Sequence, residues 1–260
     1  MFPFLKPPRL LDETSVQWMF DSFAWALRNF DARLFFAETP LVTPSDEHFP
    51  GRADTPEGMV RLIFERVRLY AGLRHWPFCL LDENALEPLA PPVLPPPGAG
   101  RALPAGGKAA PLDAPDAPPV AYRLDQLRDP EVMVAQFAHT LAHYLGTTAS
   151  EPPPGGEENW PHVTELLAVF LGFGVAMADS AHTVKIRSCA SCAGPAVERE
   201  NYLSQYDVTY ALAIFCTLKD IPAQQAARHL KSSLRPFFKK AMKDVARRQE
   251  TLARLREMAA

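Results

Sequence analysis

Cysteine is scarce: Cys79, Cys189, Cys192 and Cys216 are the four in 260 residues. That is too few for a disulfide-built scaffold, and a chain of this length buries a core without one. Cys189-Ala190-Ser191-Cys192 is half of a zinc-ribbon or knuckle pattern, but no second Cys-x-x-Cys completes it. Cys79 and Cys216 could supply two more ligands only if the fold gathered them; otherwise all four are reduced thiols. Long apolar runs are also missing. The longest covers residues 166–178, lies between Glu165 and Asp179, and falls short of the roughly 20 residues that cross a bilayer, so it reads as a buried helix. The opening residues are interrupted by Pro3, Pro7 and Pro8 and lead to no small-residue cleavage site, so no secretory signal is read and a cytoplasmic location is expected. Neither sign of charge dominates: 27 basic against 30 acidic side chains leave a net charge of −3, which specifies no partner. There is no internal repeat, and no recognised nucleic-acid motif.

Proline is abundant, and its distribution divides the chain. Residues 87–119 shift abruptly to proline, alanine and glycine, a composition that buries too little apolar surface to offset its ordering entropy. We expect a flexible insertion there, flanked by residues 1–86, the N-terminal helices and strand of a single domain, and residues 120–260, a helical core. In the first part, Asp12 or Thr14 can cap a helix running to about Asn29, with Val16, Met19, Phe20, Phe23 and Leu27 at helical spacing. Residues 35–42 are expected to be extended, because Pro40 disfavours helix at Thr39. Thr55-Pro56-Glu57 opens a second helix that stops at Gly72, and residues 76–81 read as a strand.

Residues 120–124 read as another strand and lead into the stretch around which the rest is arranged. Asp129 is placed to cap it, Pro130 suits a first helical position, Glu131 complements the positive helix end, and Gly146 fits a left-handed stop. Val134, Phe137, Ala138, Leu141 and Leu145 form a core-facing stripe. His139 and His143 are four residues apart, about 40° around the axis, the spacing at which two imidazoles can hold one metal ion. A following helix is expected from Trp160 to about Asp179. It begins with His162 and Glu165, either of which could supply a third ligand, and its stripe of Glu165, Val169, Gly172, Ala176 and Asp179 is small enough to admit another helix.

His139-Thr140-Leu141-Ala142-His143 resembles the His-Glu-x-x-His helix of the zincin metallopeptidases, and with Glu165 on the next helix it resembles the gluzincin branch. Residues 139–145 and the run from Thr164 to Gly174 are also similar to an uncharacterised group of bacterial proteins, the likeness covering roughly residues 137–180. The resemblance implies a mainly helical α+β fold, a zincin-like domain with a small β-sheet and a histidine-bearing helix of active-site type. It implies zinc held by His139, His143 and Glu165, with His162 the alternative third ligand. One departure bears on activity. Where the peptidases carry the glutamate that takes a proton from zinc-bound water, this chain has Thr140, whose hydroxyl does not titrate near neutrality. Glu157 and Glu158 are the nearest carboxylates by sequence. The expectation is therefore a pseudoenzyme: a metal-binding relative with little or no peptidase activity. The alternative is a non-enzymatic module that holds a peptide or protein in its cleft or on its basic terminal helix.

Beyond residue 180, residues 182–187 could be a strand and residues 189–192 a turn. Three closing helices are expected at residues 204–218, 222–230 and 234–258. The last is basic, with Lys239, Lys240, Lys243, Arg247, Arg248, Arg254 and Arg256, while Leu234, Phe238, Val245, Leu252 and Leu255 give it a packing face. A solvated face, rather than a nucleic-acid surface, is the reading for those cations.

Overall fold

The histidine-bearing helix, α4 (Pro130–Gly146), forms the centre of the molecule. Between Val132 and Gly146 only Gln136, His139, Thr140 and His143 keep partial exposure, all on one stripe, and the remaining surface is buried. Phe137, Leu141 and Tyr144 are wholly buried, each contributing about 1.5–3 kcal/mol through removal from water. Phe137 packs edge-on against Phe64 with ring centres 5.2 Å apart, and the Tyr144 hydroxyl donates to the Pro119 carbonyl at 2.7 Å.

The computed structural model describes residues 10–83, 100–101, 109–113, 117–181 and 202–259. In chain order come α1 (Glu13–Asn29), α2 (Ala32–Glu38), α3 (Pro56–Tyr70), β1 (Cys79–Asp82), β2 (Pro119–Tyr122), a 3₁₀ turn (Leu124–Arg128) and α4. Then follow α5 (Trp160–Ala168), a π-type turn (Val169–Phe173), α6 (Gly174–Ser180), α7 (Gln205–Leu218), α8 (Ala223–Ala227), α9 (Arg235–Val245) and α10 (Gln249–Glu257). The fold is mainly helical with a small two-stranded sheet. Helix α4 packs on α3, α5, α6 and β2, while α7 lies between α6 and α9.

Several starts form as their residues dictate. Asp12 accepts from the Ser15 amide at 2.8 Å, Thr55 from the Gly58 amide at 3.0 Å, and Ser204 from the Asp207 amide at 3.2 Å. Other expectations are corrected. Residues 35–38 are not extended but belong to α2, which Asp31 caps by accepting from the Leu34 amide at 3.0 Å; Pro40 ends the helix at Thr39 without preventing it. Gly146 has no left-handed conformation and is the last helical residue of α4. Asp129 stands at the N-cap without a side-chain capping bond. The expected helix from Trp160 is broken at Gly172, whose φ of +100° suits glycine. A Cβ there would lie 2.2 Å from the Pro40 carbonyl oxygen, and the Gly172 carbonyl accepts from the Val42 amide at 2.9 Å. The small residue thus admits an extended segment rather than a helix. The closing basic stretch is two helices, α9 and α10, rather than one, and residues 222–230 give only the short α8.

The sheet constrains the proline-rich stretch. β1 and β2 run parallel, with Leu80 opposite Val120 and Leu81 opposite Ala121, so the two strands are not a hairpin. The described points between them are docked. Buried Arg101 donates to the Ala71 carbonyl at 2.9 Å and to Thr39 Oγ1 at 2.8 Å, and the Asp113 amide donates to the Phe78 carbonyl at 2.7 Å. The helical stretch Glu157–Ser180 is longer than the apolar run alone suggested. By length and composition it could cross a membrane, but its most apolar window is entirely buried in the fold, as in a core helix. The expected strand at 182–187 and the Cys189–Cys192 turn lie outside the described residues.

Candidate functional site

His139 and His143 share the polar stripe of α4, and α5 packs across it. Gly146 makes this packing possible. A Cβ there would sit 2.8 Å from the Trp160 ring, so only glycine lets the indole lie over the last turn of α4. From that position Trp160 Nε1 donates to His143 Nδ1 in a long contact of 3.4 Å, and Trp160 meets Trp25 edge-on at 6.3 Å. Trp18 and Trp25 in turn donate to the Pro154 and Glu151 carbonyls at 3.0 Å, fixing the loop between α4 and α5.

The electrostatics of the pair are those of neutral rings. Burial pushes His139 down to about 3, helped by nearby His143, and its Nε2 is shielded from solvent without a hydrogen-bond partner. Burial also lowers His143. Because His143 Nδ1 receives the indole hydrogen, it must offer its lone pair, so the neutral ring carries its own hydrogen on Nε2. That tautomer leaves Nε2 without a lone pair for a metal. Thr140 is turned to its own helix, its hydroxyl donating to the Gln136 carbonyl at 3.0 Å.

The two candidate third ligands have other partners. Glu165 is 1% exposed, and its two oxygens accept from the Tyr202 amide at 3.0 Å and the Leu203 amide at 2.9 Å. Burial raises its carboxyl to about 7, outweighing those amide bonds. It thus ties the start of α7 to α5. His162 sits between Trp18 and Tyr202, ring centres 6.4 and 5.4 Å away, with a buried Nδ1 that has no partner. Among the described residues no three His, Cys, Asp or Glu side chains come together as a metal-holding group. The orphan nitrogens of His139 and His162 are what a metal would use, but the His143 tautomer and the engaged Glu165 do not fit a three-donor zinc set. Glu157 and Glu158 are exposed, in a 3₁₀ turn before α5. Cys79 and Cys216 are free thiols.

A cavity lies elsewhere on the same helix. A cleft of about 590 Å³ opens at the other end of α4, between its first turns (Pro130, Glu131, Val134), residues 42–52, α3 and Ala176 of α6. A smaller, polar cavity of about 350 Å³ adjoins it, and Glu131 lines both. Burial raises the Glu131 carboxyl, and Asp179 and Asp129 raise it further against the opposing effect of Lys231. Sequence reading placed Glu131 only as a complement to the helix dipole, since nothing local announces Asp179.

The basic terminal region is partly neutralised. Arg248 pairs with Glu13 and lies over the Phe20 ring, and Arg256 pairs with Asp220 at 2.7 Å. Lys239, Lys240, Lys243, Arg247 and Arg254 are exposed. Comparison with protein-family models, with curated proteins and with solved structures finds no match to this chain.

Proposed function

We propose that this chain is a zincin-like scaffold that does not perform zinc hydrolysis and acts as a binding module. The kinship rests on the two-histidine helix and the apolar run of the following helix. Absence of hydrolysis rests first on Thr140, which cannot relay the proton that a glutamate relays. The observation that carries the reading is Glu165: both oxygens already hold backbone amides, so it acts as a structural clasp rather than an open ligand. Binding is then assigned to the cleft at the other end of α4, whose volume lies within the roughly 300–1,000 Å³ of small-molecule sites.

Metal analysis of protein purified without chelator tests this. The expected result is no stoichiometric zinc, no peptide hydrolysis, and no hydrolysis gained by Thr140→Glu. One zinc per chain that disappears in His139→Ala, or cleavage restored by Thr140→Glu, overturns the reading.

A further inference from the structure

We propose that the cleft at the start of α4 binds a small apolar amine, its ammonium group held by Glu131 and its apolar body lying along α3 and α4. The inference rests on the binding-module reading and names the ligand class.

Shape supplies the first argument. Val42, Met59, Leu62, Ile63, Leu127 and Val134 line the 590 Å³ space, an apolar lining large enough for an aryl or branched alkyl group. One wall is preformed. Thr43 Oγ1 lies 3.0 Å from both Ser45 Oγ and His48 Nδ1, and the Tyr70 hydroxyl donates to the His48 carbonyl at 2.9 Å, so residues 43–48 are held against α3 without a ligand. A preformed wall reduces the ordering cost of binding.

Charge supplies the second. Glu131 stands where the apolar cleft meets the polar cavity and receives no hydrogen bond or ion pair from the described residues. Asp46 is on the cleft wall, and Asp129 and Asp179 line the adjoining space. Against these four carboxylates stand Arg52, Lys231 and, beside Asp179, Arg235, whose guanidinium already donates to the Leu230 and Arg228 carbonyls. Arg52 is exposed, where water screens it, and the Lys231 ammonium already donates to the Asp179 carbonyl. His229 is held neutral by burial and by Arg228. Among the described residues no hydrogen bond or ion pair reaches this half-buried carboxylate, and two others face it; a cation arriving with an apolar body supplies the counter-charge.

Titration calorimetry with three probes that share a phenyl ring and a four-carbon arm separates the contributions: 4-phenylbutylamine, 4-phenylbutanol and 5-phenylpentanoate. The amine is expected to bind at one site, about ten-fold or more tighter than the alcohol, the difference one charge-assisted hydrogen bond makes, and the carboxylate weakest. Glu131→Gln should abolish the preference for the amine, weakening amine binding at least ten-fold more than alcohol binding. Equal binding of amine and carboxylate, no amine binding at millimolar concentration, or an amine preference that survives Glu131→Gln overturns the proposal. Failure of the amine with zinc-free, inactive protein would remove only this inference, whereas zinc in the protein would remove the binding-module reading and leave an amine result standing.

Discussion

The two ends of α4 are in opposite states. At its C-terminal end, His143 meets an indole hydrogen and Gly146 leaves just enough room for Trp160, while on the neighbouring α5 Glu165 holds two amides. At its N-terminal end, Glu131 faces a 590 Å³ cleft and two other carboxylates, with no hydrogen bond or ion pair from the described residues. The end that carries the recognisable motif is packed as structure, and the end with no motif is left open. A cavity lined by a carboxylate that the described residues do not pair, rather than ligand-like spacing or the enclosed nitrogens of His139 and His162, therefore marks where this molecule has room to act. If that contrast holds, mutation at the two ends should move stability in opposite directions.

The largest effect is expected from Glu165→Ala. It leaves the amides of Tyr202 and Leu203 without acceptors, and at about 1–3 kcal/mol for each donor the loss is about 2–6 kcal/mol in urea unfolding. A loss below about 1 kcal/mol would mean that the carboxylate is free for other work, and the contrast would blur.

The pH dependence of Glu165→Gln sharpens the same point. Glu165 is raised from 4.5 to about 7, so the folded state holds a proton that the unfolded chain gives up between those values. Its contribution is fully present below pH 4.5 and falls by about 3 kcal/mol as pH rises to 7. Glutamine has no such titration, and its amide nitrogen cannot accept from a backbone N–H. The deficit of the variant relative to the parent should therefore be greatest near pH 4.5 and shrink towards pH 7. His139 runs the other way. Lowered from 6.5 to about 3, it stays neutral while the unfolded chain takes up a proton, so stability is lost as pH falls through that window. His143, His162, His48, His75 and His229 are shifted in the same direction. In the Glu165→Gln variant, where the opposing titration is absent, stability should accordingly fall as pH drops below 6.5, and a flat or rising stability there contradicts the buried neutral rings.

Gly146→Ala comes next, with an expected loss of about 1–3 kcal/mol from overpacking against Trp160. Its second readout is Trp160 fluorescence, which should change as the indole leaves His143. Unchanged fluorescence would mean that the closed end does not depend on this contact.

What was legible in the sequence was local. Caps at Asp12 and Thr55, the helical stripe of α4 and the shared direction of His139 and His143 all depend on neighbours within a turn or two. What was not legible depends on distant chain. Gly172 looked like room for a helix because Pro40, which meets it, is more than a hundred residues earlier. Glu165 looked like a ligand because its amide partners, Tyr202 and Leu203, lie 37 and 38 residues further along the chain. The cleft joins residues 42–52 to the start of α4 and to α6, three segments with no common motif. Spacing identified the face correctly and could not say which of its atoms were already engaged.

The smallest effect should have the opposite sign. Glu131→Gln removes a half-buried charge that Asp129 and Asp179 disfavour and that the described residues do not pair. The first turn of α4 would ordinarily reward a carboxylate by about 0.3–1 kcal/mol, but the upward shift shows burial and repulsion outweighing that. With solvent screening of a partly exposed site, the net gain is a few tenths of a kcal/mol at pH 7. The sign follows from titration. Glu131 is raised above its ordinary 4.5, so its penalty grows as pH rises past that value and is absent below it. Thermal unfolding of parent and variant should coincide below pH 4.5 and separate above it, with the variant the more stable. A variant less stable at pH 7 would give Glu131 a structural role, and the open end of α4 would then be as engaged as the closed one.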